Sequence, residues 1–311
     1  MEQRKTFQLF DRVFKCLMGL SDRAVIHFIN GMFGTRHPLN HTVTRPSTET
    51  VDTNLRHSQP DMVIVINGCH SYLIEAQISD DEDMGVRIFR YIMNEGQRNV
   101  LKQDHILRLK LPDARVIYWE TIGSTADKEI ISFELSSGGL FSYEAPSFKF
   151  PKYTVAMLEK RNMGILLPFC VLKLRGKVKR AKNGAVRRGL AKQMKRLLKD
   201  IIGAAERSEK QGKMSRGDLD NVIRLTQRLH DELYSQYTEF KEDKKMWEDI
   251  KLIDYDGMYK AKEEARQAKK EARQAKKEAA LKAEKAVLKL REMGISEEQL
   301  VAAGLLEIAR K

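Results

Sequence analysis

Cysteine is scarce in this chain, with three residues among 311. Cys16, Cys69 and Cys170 are odd in number, far apart and set in apolar surroundings. This spacing excludes a disulfide framework and supplies no cysteine ligand set for zinc. We therefore expect three buried thiols in a reducing compartment.

Long apolar runs are also missing. Arg4 and Lys5 are followed by amphipathic sequence rather than by the apolar core of a signal peptide. The most apolar segment, residues 163–174, is too short and too interrupted to span a bilayer. The sequence therefore predicts a cytoplasmic protein with no membrane partner.

Acidic residues are outnumbered, 43 against 56 lysines and arginines, and the formal net charge is +13. This charge favours polyanionic partners, nucleic acid before anionic membrane surfaces. The imbalance is strongest from residue 173 to residue 199, where no acidic residue occurs. Such a run can bind a phosphate backbone without reading base sequence. We expect DNA contacts there from Lys179, Arg180, Arg187 and Arg188.

Two other interpretations of this basic run stay open. It can be the solvated face of a helix whose opposite side carries an apolar stripe of Leu190, Met194, Leu197, Leu198 and Ile201. It can also bind RNA or a membrane surface. A preference for RNA or anionic vesicles over DNA would distinguish that last case.

A short hairpin with charged ends is the most informative feature that the chain does contain. Residues 62–66 and 72–74 are apolar runs separated by Asn67-Gly68, a pair typical of tight β-turns. Runs that are apolar on both faces are typical of strands buried in an α/β sheet. Asp61 opens the first strand and Glu75 closes the second.

The number of residues in the turn decides whether these two acids meet. A two-residue loop would pair Asp61 with Ile74 and put Glu75 on the opposite face, because successive side chains alternate. A three-residue turn with Gly68 left-handed would put Asp61, Glu75 and Gln77 on one face. A shared site therefore requires an odd loop or a bulge.

Two converging carboxylates at a strand end form a hard oxygen site suited to Mg²⁺, with Mn²⁺ as a substitute. A metal there can polarise a phosphoryl oxygen and generate hydroxide for in-line attack. Gln77 can orient the attacking water or a phosphate oxygen. In the alternative, structural interpretation, Asp61 caps its strand and Glu75 pairs with a nearby arginine.

Pro60-Asp61, a hairpin and then Glu75-Ala76-Gln77 resemble the PD-(D/E)XK nuclease signature, with glutamine in place of the usual lysine. More closely, the chain resembles the PD-(D/E)XK nuclease family transposases, the Rpn-type recombination-promoting nucleases. The matching pieces cover about residues 7–175 in the correct order. They also include residues 11–15, Arg87 with Tyr91, and residues 166–169.

The resemblance implies an α/β fold with a restriction-endonuclease-like mixed sheet flanked by helices. It also implies Mg²⁺-dependent endonuclease activity on DNA during transposition or recombination. Asp61 and Glu75 would hold the metal, and Gln77 would position water or phosphate. Arg87 would contact a phosphate or hold Glu75 in place. The alternative for Arg87 is an ion pair with the acidic residues 80–83 at the start of its helix.

By the same resemblance, Asp11 would support the site from a helix that precedes the sheet. Asp22 and Glu49 are alternatives for this role. The competing interpretation of Asp11 is a surface ion pair with Lys15, one helical turn away.

The glutamine at position 77 leaves a second function open. A neutral amide stabilises developing negative charge less well than an ammonium group does. The alternative is a catalytically degenerate DNA-binding protein that uses its basic helices and a coiled coil.

The length allows one sizeable domain with an appendage, or two domains. We expect a nuclease-like domain at 1–175, a basic helical region at 176–255, a charged heptad helix at 256–292 and a short C-terminal helix at 293–311. The heptad Glu-Ala-Arg-Gln-Ala-Lys-Lys occurs twice, from Glu264 and from Glu271. Its alanines recur at steps of three and four, the pattern of a coiled-coil seam, which allows a homo-oligomer through these helices. A lone charged helix is the alternative.

Local patterns give further expectations. Ser21 is predicted to cap a helix, and strands are predicted at 114–122 and 129–135. Residues 141–151 are predicted to be irregular because they combine aromatics with proline. A long amphipathic helix is predicted at 218–250.

Overall fold

The computed structural model describes residues 2–46, 50–51, 57–58, 60–78 and 83–240. The helices are α1 Glu2–Met18, α2 Asp22–Phe33, α3 Met84–Arg98, α4 Val155–Lys160, α5 Arg175–Arg180, α6 Gly184–Lys210 and α7 Arg216–Tyr234. The strands are β1 Val43–Thr44, β2 Thr50–Val51, β3 His57–Ser58, β4 Met62–Ile66, β5 His70–Gln77, β6 Val100–Gln103, β7 Ile106–Leu109, β8 Asp113–Tyr118, β9 Lys128–Glu134 and β10 Leu140–Lys149. Short 3₁₀ segments lie at Phe150–Lys152, Gly164–Leu174 and Thr238–Phe240.

Six of these strands form one mixed sheet in the order β1-β4-β5-β8-β10-β9. The β1–β4, β4–β5 and β10–β9 pairs are antiparallel, and the β5–β8 and β8–β10 pairs are parallel. Two further antiparallel pairs, β2–β3 and β6–β7, are separate from this sheet. The predicted α/β class, a mixed sheet flanked by helices, is confirmed at this level.

Helix α3 covers one face of the sheet. Its apolar side chains recur every three to four residues and pack on alternate residues of the central strands, as both periodicities require. This buried cluster contains Met84, Ile88, Tyr91, Ile92, Val63, Leu73, Ala114, Val116, Tyr118 and Ala145. By alternation along β5, Glu75 and Gln77 lie on the same face as Leu73 and therefore beside α3.

A second core is aromatic and joins α1 to the segment 164–174. Trp119 stacks on Phe169 with ring centroids 3.7 Å apart, and Phe14 meets the same indole edge-on at 6.0 Å. Phe10 contacts Phe169 at 6.2 Å. Residues 164–174 are almost entirely buried, so this segment closes the core, as its apolar sequence suggests.

Helices α6 and α7 pack on segment 164–174. The Tyr234 hydroxyl donates to the Val171 carbonyl at 2.6 Å, and Arg207 binds Glu159 of α4 through two nitrogens at 2.7 Å and 2.8 Å. The apolar stripe predicted for α6 is buried at Leu190, Met194, Leu198 and Ile201 and half-buried at Leu197. The domain boundary at 175 stays a prediction.

Residues 141–151 are not irregular, which makes that prediction wrong. Strand β10 pairs with β9 from Leu140 to Pro146 and then with β8 from Ser147 to Lys149. Pro146 has no N–H to donate, and it stands where the strand changes partner. A proline that would interrupt a uniform ladder is therefore accommodated within a long strand.

Helix α7 ends at Tyr234, so the prediction of a helix to residue 250 is wrong. The chain turns there, with the Tyr237 N–H donating to the Tyr234 carbonyl at 2.9 Å. This turn brings Phe240 against Tyr234, with ring centroids 5.1 Å apart. Aromatic packing, a tertiary effect, outweighs the helical periodicity.

The expectation of three buried thiols is correct only for Cys170. Cys16 and Cys69 are exposed, and all three cysteines are free. Cys16 lies on the outer side of α1, and Cys69 lies in the turn between β4 and β5. Apolar neighbours in sequence did not imply burial, because helix and turn geometry decide which way each side chain faces.

The heptad helix, the C-terminal helix, Glu49 and the predicted coiled coil lie outside the described residues. Among the described helices, none combines the length and apolarity needed to cross a membrane.

Candidate active site

The turn between β4 and β5 has three residues. Ile66 pairs with His70, which leaves Asn67, Gly68 and Cys69 in the loop. Asn67 and Gly68 are both left-handed, with φ of 52° and 66°. Asparagine and glycine are the residues that adopt this conformation most readily. The odd loop that a shared site requires is confirmed.

This register places Asp61 opposite Glu75, because Met62 pairs with Ile74 one step earlier. In each direction, a backbone N–H of one strand donates a hydrogen bond to the carboxyl group on the other strand. The Asp61 N–H donates to Glu75 Oε1 at 3.0 Å, and the Ala76 N–H donates to Asp61 Oδ2 at 2.7 Å. Each carboxyl group is fixed by a backbone donor, so the pair is held in place by the hairpin itself.

Arg87 of α3 contacts two residues of β5, Glu75 and Gln77, on the face of the sheet that α3 covers. Its Nη2 donates to Glu75 Oε2 at 2.6 Å. With the Gln77 amide turned so that its oxygen faces the guanidinium, that oxygen accepts from Nη1 at 2.9 Å and Nη2 at 3.0 Å. Tyr91, one turn further along α3, also interacts with the guanidinium. The structure therefore places Arg87 on Glu75, which agrees both with its predicted role of holding Glu75 and with the structural interpretation that Glu75 pairs with a nearby arginine.

Burial dominates the electrostatics of this pair. Burial is the largest cause that raises the pKa of each carboxyl group. The charge of Asp61 also raises the pKa of Glu75 and the Arg87 guanidinium lowers it, so that the pKa of Glu75 is about 8 and that of Asp61 about 6. Burial alone would lower the pKa of Arg87, but the adjacent Glu75 raises it. One guanidinium balances one carboxylate, so the pair retains excess negative charge when both acids are ionised.

Asp11 lies close enough to act on Asp61. It pairs with Lys15 at 2.9 Å, as the structural interpretation predicted, and its charge also raises the pKa of Asp61. Asp22, one of the two alternatives, is engaged elsewhere by Arg45 at 3.2 Å. Of the three candidates, the structure describes Asp11 and Asp22, and Asp11 is the one whose charge acts on Asp61.

The donor chemistry of the pair fits Mg²⁺. No group of three or more histidine, cysteine, aspartate or glutamate side chains converges as a metal site within the described ranges. Mg²⁺ commonly binds through one or two carboxylates and keeps several waters, so two acids are sufficient. No described residue donates a hydrogen bond to Asp61 Oδ1, whereas Asp61 and Arg87 engage both oxygens of Glu75.

The basic residues predicted to contact DNA lie on α5 and α6. Lys179, Arg180 and Arg188 are exposed, and Arg187 is half-buried with its guanidinium 5.2 Å from the centre of the Tyr237 ring. Their exposure is compatible both with phosphate contact and with a solvated helix face.

Sequence reasoning missed the two backbone N–H groups that hold the carboxyls, since every non-proline residue carries one and none is visible as a motif. It also missed the contact between Arg87 and Gln77. The spacing of Arg87 and Tyr91 on one helix face was the available signal for that contact.

Comparisons with protein-family models, curated proteins and solved structures find no match to this chain.

Proposed function

We propose that this protein is a metal-dependent DNA endonuclease that hydrolyses phosphodiester bonds in transposition or recombination. The observation that carries the proposal is the mutual fixing of Asp61 and Glu75, with Gln77 on the same face of the hairpin. Acids held this close in a buried place cost folding energy, and a role in chemistry accounts for that cost.

Asp61 and Glu75 are the residues that would hold Mg²⁺ or Mn²⁺. When bound, such a cation stabilises charge on a phosphoryl oxygen and lowers the pKa of a bound water. The protein's own contribution is alignment. The two backbone donors hold the carboxyls in one orientation, and the Gln77 amide can orient water or a phosphate oxygen.

The basic helices supply the means to hold DNA. Exposed basic side chains lie on α5 and α6, and the sequence from residue 173 to residue 199 contains no acidic residue. Contacts of this kind position a duplex without reading its sequence. Lys179, Arg180, Arg187 and Arg188 would provide them.

A second candidate is a DNA-binding protein without catalysis. The neutral amide of Gln77 and the guanidinium on Glu75 favour it, because the first lacks the charge of lysine and the second already neutralises a metal ligand. This candidate needs the basic surface only.

Nicking of supercoiled plasmid with Mg²⁺ or Mn²⁺ tests the proposal in the full chain. We expect nicking by the wild type, loss of nicking in Asp61→Asn and Glu75→Gln, and no change in Asp104→Asn, which alters an exposed acid in the turn between β6 and β7. No nicking by any protein, with equal salt-sensitive DNA binding by all four, would favour the second candidate.

A further inference from the structure

Arg87 occupies the place where the site needs a positive charge. The residue two positions after Glu75 is the neutral Gln77, yet a guanidinium lies within 3.0 Å of its amide oxygen. We propose that Arg87 supplies the positive charge that Gln77 lacks, and that Arg87 and a divalent cation compete for the carboxylate of Glu75. This inference rests on the proposed function.

The contacts of Gln77 explain why an amide stands at this position. Its oxygen accepts two hydrogen bonds from the guanidinium, at 2.9 Å and 3.0 Å. A lysine at position 77 would instead bring an ammonium group against the guanidinium, and two like charges in a largely buried place repel strongly. Gln77 and Arg87 therefore act as a pair. Arg87 on the helix provides the positive charge, and the amide of Gln77 on the strand fixes the position of its guanidinium.

Arg87 and a divalent cation compete because both oxygens of the Glu75 carboxylate already accept hydrogen bonds. Its Oε1 accepts the Asp61 N–H and its Oε2 accepts Arg87, while the side chain itself is fully buried. A cation that binds Glu75 must share or displace the bond to Arg87. Like charges at one carboxylate also oppose each other through space, so each cation weakens the binding of the other.

Arg87 is placed to act on substrate once that bond is loosened. Its side chain is 28% exposed, whereas that of Glu75 is 0% exposed. The Arg87 side chain therefore links the buried acid to a partly exposed position, and the Gln77 amide oxygen still accepts from its guanidinium. An arginine in this position binds a phosphate oxygen through its forked donors.

Mn²⁺ binding measured by titration calorimetry on the full chain separates this proposal from a structural role. The variants are Arg87→Gln, Asp61→Asn and, as a control, Arg90→Gln, which removes an equal charge from an exposed position on the same helix. We expect Arg87→Gln to bind Mn²⁺ about tenfold more tightly than wild type, a typical size for coupled sites. We expect Asp61→Asn to lose binding and Arg90→Gln to match wild type.

Plasmid nicking gives the second measurement. We expect Arg87→Gln to nick on the order of a hundredfold more slowly despite tighter Mn²⁺ binding, the usual cost of removing one charge-stabilising donor. The double variant Gln77→Lys with Arg87→Gln returns a cation to the site from the strand. It should recover part of the lost rate, which a purely structural role for Arg87 would not allow.

The outcomes separate the two proposals. Unchanged or weaker Mn²⁺ binding by a folded Arg87→Gln, with wild-type binding that depends on Asp61, would overturn the role of Arg87 and leave the metal site in place. Absence of Mn²⁺ binding by wild type would overturn both. Circular dichroism and thermal melting of each variant identify any loss of fold.

Discussion

The Asp218 carboxylate bonds the N-termini of two helices at once. Its Oδ1 accepts the Ser21 N–H at 2.9 Å, and its Oδ2 accepts the Ser21 hydroxyl at 2.5 Å and the Ser215 N–H at 2.8 Å. Ser21 caps α2, and Ser215 with Asp218 forms a capping box on α7. Residues 197 apart in sequence thus share one buried acid, which fixes α7 to the start of α2.

Replacing this acid should destabilise the fold strongly. Asp218→Ala leaves the Ser21 and Ser215 N–H groups without their acceptor, and we expect the free energy of unfolding to fall by about 3 kcal/mol. Urea denaturation measures the change. Glu232→Ala, at an exposed position on α7, is the control and should change it by less than about 0.5 kcal/mol. Equal effects of the two variants would contradict the double-cap role.

Two glycines should respond to alanine with opposite signs. A Cβ at Gly31 of α2 would lie 2.0 Å from the Arg161 carbonyl oxygen, whereas a Cβ at Gly189 of α6 would meet nothing within 4 Å. Both positions are helical, where alanine is intrinsically better by about 1 kcal/mol. We expect Gly31→Ala to lose about 3 kcal/mol through overpacking and Gly189→Ala to gain up to about 1 kcal/mol. Thermal melting distinguishes them, and a stabilised Gly31→Ala would show that α2 can move away from Arg161.

The fold class and the condition for a shared site could be predicted because both depend on local periodicity. Alternation along β4 and β5 predicted that Asp61 and Glu75 meet only across an odd turn. Whether the turn has two or three residues depends on the backbone angles at Asn67 and Gly68. Asparagine followed by glycine is compatible with both turn lengths. The sequence therefore stated the alternatives, and the structure selected one.

The missed features depend on contacts between distant parts of the chain. Strand β10 was missed because its Pro146 is tolerated only where the strand changes partners. The end of α7 was missed because Phe240 returns to pack on Tyr234. Neither contact leaves a periodic pattern in the sequence, so local reasoning could not find it.

The reactivity of the three cysteines tests whether the buried segment 164–174 stays closed in the native protein. Burial raises the pKa of the Cys170 thiol to about 12, so its thiolate is negligible at pH 8. Cys16 and Cys69 are exposed. We expect iodoacetamide at pH 8 to modify Cys16 and Cys69 but not Cys170 in the native protein, and all three in urea, as followed by peptide mass spectrometry. Rapid modification of Cys170 in the native state would show that the segment 164–174 opens readily.

The charge state of Glu75 should make stability depend on pH. Its pKa is raised in the folded protein from 4.5 to about 8, first by burial and then by Asp61, so the folded state binds this proton more tightly than the unfolded state does. Its stabilising contribution is therefore fully present below pH 4.5 and is lost as pH rises through about 8, by at most about 1.4 kcal/mol per pH unit. Asp61 acts in the same direction at lower pH, because its pKa is also raised.

Glu75→Gln isolates this effect because an amide is neutral at every pH. In EDTA, we expect the free energy of unfolding of Glu75→Gln to rise relative to wild type between pH 5 and pH 9, as measured by urea denaturation at each pH. The Arg87 ion pair works against this trend, since its 2.6 Å contact favours the ionised acid. A difference that stays flat, or that turns in favour of wild type at high pH, would mean that Arg87 stabilises the carboxylate at least as much as burial destabilises it. Mn²⁺ would then have to displace a stronger bond at Glu75, and the gain in Mn²⁺ affinity of Arg87→Gln should exceed tenfold.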